Sequence, residues 1–281
     1  MNGYEWVEQA KSKLEKVDLP FSTISLLIDN CFGVKLNEFI LFEFINNEQI
    51  DILLDEVLKK EEPVAQIVGY EIFYGYKINI TKDVLIPRVE TEELVSLVIA
   101  DIKNNYPIGS EINIADVCTG SGVIGLVIYQ ELIKDYKINL VVSDISSDAL
   151  KVAKGNFDKY GVVVSILEGD LLEPFLHNNI KFDFVISNPP YIPTSDVLEQ
   201  IVLNNEPSLA LFGGVLGYEP YFKIIDVVNN ILETTSRIYF EIGDGQGEII
   251  KSYINGKLKC EVYLLNDLFG RERMIKVEIG V

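Results

Sequence analysis

The run Phe182-Asp183-Phe184-Val185-Ile186-Ser187 stops on Asn188-Pro189-Pro190-Tyr191. A β-type run that ends on asparagine and two prolines reads as a buried strand delivering a loop to the carboxyl edge of a sheet, where open α/β sheets bind ligands. Neither Pro189 nor Pro190 carries an N–H, so the local carbonyls lack neighbouring donors, and the ring-locked backbone does not easily turn them away. The Asn188 side chain adds an acceptor and Tyr191 a flat π-face. Two fixed acceptors beside an aromatic ring suit a planar –NH2 group. A Pro-Pro turn packed under a tyrosine fits the tetrapeptide equally well, so the residues upstream decide.

Upstream, Ile112-Asn113-Ile114-Ala115-Asp116-Val117 enters Cys118-Thr119-Gly120-Ser121-Gly122-Val123-Ile124-Gly125, which reads as strand, glycine loop and apolar helix. Gly120, Gly122 and Gly125 fit the dinucleotide fingerprint, and Asp144 ends the next strand, where a ribose-binding acid belongs. NAD and S-adenosylmethionine share this first turn, and charge separates them. NAD sets an anionic pyrophosphate at the helix N-terminus, whereas S-adenosylmethionine brings a sulfonium and an ammonium group. Asp116 would repel the first and attract the ammonium of the second. Asp170, after the third strand, could accept a hydrogen bond from adenine's amino group. Each acid alone is as readily a helix cap or a solvated loop residue. Together, at three consecutive strand exits, they favour a cationic nucleoside.

These residues need a scaffold. From Ile112 onward strands and helices alternate, the mark of a largely parallel, doubly wound α/β sheet. Strands are expected near 111–117, 138–144, 162–167, 182–187, 236–242, 260–265 and 272–279, with helices over 123–134, 146–159, 219–233 and 246–255. Residues 1–65 show helical spacing instead, through Leu14, Val17, Ile24, Leu27 and Ile28, then Phe39, Phe42, Ile50, Leu53, Leu54, Val57 and Leu58. They predict a small helical domain, joined by a β-hairpin over 66–86 to the α/β domain of 87–281. Thr91, with acids after it and before Leu94 and Val95, reads as a helix N-terminus.

The composition narrows the chemistry. The 281 residues are 48% hydrophobic and carry 43 acidic against 24 basic side chains, a formal net charge of −19. Such a surface disfavours stable nucleic-acid binding. No stretch approaches the roughly 20 apolar residues of a membrane span, and Met1 to Lys16 lacks a signal core, so a soluble, cytoplasmic protein is expected. Cys31, Cys118 and Cys260 match neither a disulfide framework nor zinc spacing, and no metal is expected. His177, the only histidine, sits in a polar loop, which argues against Ser-His and Cys-His mechanisms.

The glycine loop with Asp116, Asp144, Asp170 and the Asn188-Pro189-Pro190-Tyr191 loop resembles class I S-adenosylmethionine-dependent methyltransferases acting on amide or exocyclic amino nitrogens. More of the chain narrows the likeness. Glu62-Pro63 with Phe73-Tyr74-Gly75, Leu85-Ile86-Pro87-Arg88-Val89-Glu90-Thr91-Glu92, Glu206-Pro207 with Gly213-Gly214, Glu241-Ile242-Gly243 and Asp267-Leu268-Phe269-Gly270-Arg271 resemble the peptide chain release factor glutamine methyltransferase family (HemK/PrmC). The resemblance runs from about residue 60 to the end and, in looser form, through the N-terminal helices. It implies a Rossmann-like seven-stranded sheet and methylation of the amide nitrogen of the glutamine in the Gly-Gly-Gln motif of release factors, with S-adenosyl-L-homocysteine as the other product. It assigns the cofactor to Arg88, Thr91, Asp116, Thr119, Gly120, Ser121, Gly122, Asp144, Ile145, Asp170, Leu171 and Asn188. It assigns the glutamine to Asn188, Pro189, Pro190, Tyr191 and Glu90, with Asn188, Pro189 and Tyr191 at the reacting nitrogen. The N-terminal helices become a release-factor docking element, and the enzyme is expected to be a monomer. Val89 departs from the family, which usually shows a second proline there, and implies a less rigid loop. Alternative substrates are a glutamine of a ribosomal protein and, against the net charge, adenine in nucleic acid.

Overall fold

The computed structural model describes every residue except 18, 46, 47, 61, 178, 179 and 281. In chain order it forms α1 (Gly3–Leu14), α2 (Ser22–Phe32), α3 (Leu36–Phe39), α4 (Glu48–Lys60), α5 (Val64–Val68), β1 (Tyr70–Phe73), β2 (Tyr76–Asn79) and α6 (Val89–Asn105). There follow β3 (Glu111–Val117), α7 (Val123–Leu132), β4 (Lys137–Asp144), α8 (Ser147–Tyr160), β5 (Val164–Glu168), β6 (Phe182–Ser187), β7 (Ile192–Pro193) and α9 (Gln200–Asn205). The last elements are α10 (Ser208–Leu211), β8 (Phe212–Gly214), α11 (Glu219–Val227), β9 (Leu232–Glu241), α12 (Gly247–Lys257), β10 (Cys260–Asn266) and β11 (Glu272–Ile279). Two units emerge, Met1–Ile72 with Glu199–Asn205, and Phe73–Leu198 with Glu206–Val281. No helix among the described residues is long and apolar enough to cross a membrane.

In the first unit, Asn2 caps α1 through a reciprocal box: its side chain accepts from Glu5 N at 2.8 Å, and the Glu5 carboxylate accepts from Asn2 N at 3.1 Å. The apolar stripe of α1, Trp6, Val7, Ala10 and Leu14, packs with Ile24, Leu27, Ile28, Phe39, Ile50, Leu54 and Val57. Trp6 Nε1 donates to Asp51 at 2.8 Å, so the indole is buried without a stranded donor. Val17 is the exception to the expected stripe. It ends a 3-10 turn over Glu15–Val17 and stays 47% exposed.

In the second unit, seven strands run in the order β10-β11-β9-β6-β3-β4-β5, all parallel except β11, which is antiparallel to both of its neighbours. This is the expected doubly wound sheet. Alternation along the strands splits the core. Ala115, Val117, Val185, Ile238 and Phe240 pack against Tyr221, Ile224, Ile250 and Ile254 of α11 and α12. The alternate residues face the other helical layer: Phe184 meets Tyr106 at the end of α6, and Asp116 meets Gly125 of α7.

Two local expectations change. The helix expected over 219–233 ends at Val227, a 3-10 turn covers Val228–Asn230, and β9 begins at Leu232. Val228, Ile231 and Leu232 suit helical spacing, but pairing of Leu232 with Phe182 commits the segment to the sheet. Thr91 does not cap α6, which starts at Val89 after Arg88 with no side-chain cap bond; Thr91 lies within the first turn and its hydroxyl turns elsewhere.

Candidate active site

β3 has β4 on one side and β6 on the other, so the sheet reverses its winding there, and the crevice beyond the carboxyl ends is where such sheets take ligands. Val117 pairs with Ser187, and Ser187 Oγ donates to the Val117 carbonyl at 2.7 Å. The glycine loop after β3 and the Asn188 loop after β6 therefore leave the sheet side by side. A cavity of about 440 Å³ opens on them. Its wall includes Thr91, Cys118, Thr119, Gly120, Ser121, Asp144, Ile145, Asp170, Leu171, Asn188 and Pro190.

The loop conformation depends on its glycines. Gly122 sits at φ +82, and a Cβ there would lie 2.8 Å from the Phe157 ring, so a side chain is excluded by backbone and packing together. Gly120 N donates to Asp144 Oδ2 at 2.9 Å, while Asp144 Oδ1 accepts from Ser146 N at 2.9 Å. Burial pushes the Asp144 carboxyl up, and N–H donors from Ser146, Gly120 and Ile145 oppose the shift. The loop's amide is thus already held by a carboxylate. Asp83, Asp144, Asp170 and Glu219 share the wall with one cation, Lys223, which pairs with Asp170 at 3.4 Å. Burial opposes ionisation of Glu219, but the N–H groups of Leu216, Glu219, Val215 and Gly217 outweigh it and hold the carboxyl below its ordinary value.

Other candidate residues lie outside this wall. Asp116 is fully buried and points at α7; its Oδ2 accepts from Thr119 Oγ1 at 2.6 Å and from Gly125 N at 3.0 Å. Its Oδ1 has no partner among the described residues, and burial pushes the carboxyl up to about 7. Asp116 therefore braces the glycine loop instead of facing the cavity. Gly122 does not line the cavity, and Arg88 turns away to bond Glu206 Oε1 at 2.5 Å. Pro189 is buried beside the wall, and Tyr191 and Glu90 do not line it. Tyr191 packs against the main core cluster; burial raises its phenol to about 12, with Glu241 and Glu90 adding to the shift and Arg273 and Arg88 opposing it.

Three residues of the site carried no assigned role in the sequence. Glu241 ends β9 and accepts from Thr91 Oγ1 at 2.6 Å; Asn188 Nδ2 donates to that same Oγ1 at 3.3 Å. Glu206 accepts from Ile86 N at 3.1 Å as well as from Arg88. Gln246 Nε2 donates to the Tyr191 carbonyl at 2.8 Å and its Oε1 accepts from Gly243 N at 3.0 Å, which fixes the far end of the Asn188 loop. An acid closing an apolar strand was the available signal for Glu241.

The methyltransferase small domain family matches residues 95–213. A release factor glutamine methyltransferase of Bacillus cereus is 34% identical over 289 residues, covering 99% of this chain and 100% of that protein. One from Bacillus subtilis is 36% identical over 223 residues, covering 78% and 76%. Among solved structures, a methyltransferase from Pyrococcus furiosus aligns with a TM-score of 0.53 at 14% identity, over 84% of this chain and 100% of that one, a likeness of fold.

Proposed function

The chain belongs to the release factor glutamine methyltransferase family, and on that premise we propose that the carboxyl-edge cavity binds S-adenosylmethionine while Asn188 presents the substrate amide to it. The protein transfers a methyl group to the side-chain amide nitrogen of the glutamine in the Gly-Gly-Gln motif of peptide chain release factors. One observation carries the site assignment: Asn188 shares a wall with the glycine loop, because β3 and β6 are neighbours.

The cavity suits a cationic nucleoside. Four carboxylates against one lysine favour positive charge, and Asp144 already occupies the glycine-loop N–H that a pyrophosphate would need. When bound, the cofactor supplies an electrophilic methyl on a sulfonium. Asp144, held by Gly120 and Ser146, takes the ribose hydroxyls, and Asp170 the adenine amino group. Thr119, Ser121, Ile145 and Leu171 shape the wall around them. Asp116 acts one step back, through Thr119 and the start of α7.

An amide nitrogen is a poor nucleophile because its lone pair is delocalised into the carbonyl. Asn188 Oδ1 and the Pro189 carbonyl accept its two hydrogens, fix its direction, and bind more strongly as positive charge develops on nitrogen. Pro190 lines the wall beside Asn188, and Tyr191, packed against the core with its carbonyl held by Gln246, supports the loop from outside that wall. Held this way the amide nitrogen would meet the methyl group of a bound cofactor; S-adenosylhomocysteine would leave and the surplus amide proton would pass to solvent. The first unit serves as the docking element for the release factor. The acidic surface, with net charge −19, suits a basic protein partner more than nucleic acid.

Incubation with labelled S-adenosylmethionine and purified release factor, native or with the motif glutamine replaced, tests the reading by peptide mass mapping. Label on that glutamine, lost in Asn188→Ala with cofactor affinity within about threefold of the parent, is expected. Normal turnover by Asn188→Ala removes the proposed role.

A further inference from the structure

Behind Asn188 the hydrogen bonds run in one direction. Glu241 and Thr91 are both only 2% exposed, and the Thr91 hydroxyl lies 2.6 Å from Glu241 Oε2. Asn188 Nδ2 reaches Thr91 Oγ1 at 3.3 Å. Tyr221 Oη donates to the Glu241 main-chain carbonyl at 2.8 Å, which pins the end of β9. A carboxylate only accepts, and a hydroxyl has a single proton to give. While Glu241 is ionised, Thr91 directs its proton there and keeps only lone pairs for Asn188. The Asn188 –NH2 must then face Thr91, which leaves Oδ1 for the cavity.

We propose that Glu241 is a positioning residue for methyl transfer: through Thr91 it dictates which end of the Asn188 carboxamide meets the substrate nitrogen. This rests on the reading of Asn188 as the amide holder. A carboxamide turned the other way sets –NH2 against the substrate's own –NH2, donor against donor, where attack on the methyl group requires an acceptor. Asn188 could not select its orientation alone, since the two ends of a carboxamide are nearly equal in size.

The groups around Glu241 make this arrangement sensitive to pH. Glu90 and Thr91 face it from α6, Asn188 and Tyr191 from the loop after β6, Arg273 from β11 and Tyr221 from α11. Burial raises the carboxyl to about 7; the Thr91 hydroxyl, Asn188 and Arg273 oppose the shift and Glu90 adds to it. Once protonated, Glu241 can donate to Thr91, Thr91 can donate to Asn188 Oδ1, and the direction of the chain is free to reverse.

The test uses the full-length enzyme, purified release factor and labelled S-adenosylmethionine, with Thr91→Val, Thr91→Ser, Glu241→Gln and Asn188→Ala side by side. Thr91→Val should lower kcat about tenfold or more, and Glu241→Gln, which can turn either its oxygen or its –NH2 to Thr91, should lower it less, both with the dissociation constant for S-adenosylmethionine within about threefold of the parent. Thr91→Ser, which keeps the hydroxyl, should restore most of kcat. The parent's kcat should rise between pH 6 and 8, and the Glu241→Gln profile should be flat there. If Asn188→Ala is inactive while Thr91→Val turns over normally, or loses only cofactor affinity, the positioning role is overturned and the site assignment stands. Failure of Thr91→Ser to restore kcat also overturns it. Normal turnover by Asn188→Ala overturns the site assignment itself.

Discussion

Glu206 ties down a wall of the carboxyl-edge cavity, and if S-adenosylmethionine binds there as proposed, removing it should weaken that binding without unfolding the protein. Its side chain is 2% exposed, yet it serves two donors, Ile86 N at 3.1 Å and Arg88 at 2.5 Å. The segment it holds supplies Val84, Leu85 and Pro87 to the cavity. In Glu206→Ala the Ile86 N–H, on a residue 4% exposed, loses its acceptor, which costs about 1–3 kcal/mol for a buried unsatisfied group. The Arg88 side chain is 39% exposed, so solvent screening limits its share to about 1 kcal/mol or less. Relief of the buried carboxylate offsets part of this, and a net loss of about 2 kcal/mol follows. If the cofactor must supply that ordering on binding, its dissociation constant rises about 10- to 30-fold. Glu206→Gln keeps an oxygen for Ile86 N and should stay within a few-fold. Calorimetric titration with S-adenosylhomocysteine, alongside circular dichroism to confirm folding, reads the effect. A folded Glu206→Ala that binds with the parent's affinity refutes the tether.

Two more perturbations probe the braces of the site. At Gly213 an added Cβ would sit 2.3 Å from the Pro190 carbonyl oxygen, so Gly213→Ala must push the Asn188 loop aside. A displacement of about 1 Å at the reacting amide should lower kcat about 100-fold, measured by steady-state methylation of the release factor. For Asp116 the folded-state carboxyl is raised by burial to about 7 against an ordinary 3.8, so its contribution to stability is full below about pH 4 and is lost as pH rises through 7. Asp116→Asn keeps an oxygen for Thr119 and Gly125 without the buried charge, so thermal melts should place it above the parent at pH 8, with the gain shrinking towards pH 5. An equal difference at both pH values counts against the assignment.

The strand exits show where sequence reasoning reached and where it stopped. β3, β6 and β11 match their expected spans, because apolar runs bounded by glycine, proline and asparagine leave little choice of element. Asp144 and Asp170 line the cavity, since a residue at or beyond the end of a strand is released from the pleat. Asp116 comes one residue earlier, before Val117, and the two-residue alternation of β3 turns it towards α7. Glu241 is the converse. The strand was expected to run on through Ile242, which hid an acid at the true end of β9. Gly213 and Glu206 stood in motifs that carried the resemblance, but no local pattern gave them a role. The need for a bare Cα at Gly213 arises only when Pro190 stands against it, and Glu206 meets Arg88 across 118 residues of chain. Periodicity encodes which side of its own element a residue takes, whereas the braces of this site depend on what a distant loop brings to that side. The residues proposed to touch cofactor and substrate are therefore the more legible class, and those that brace them emerge from the packing of the folded chain.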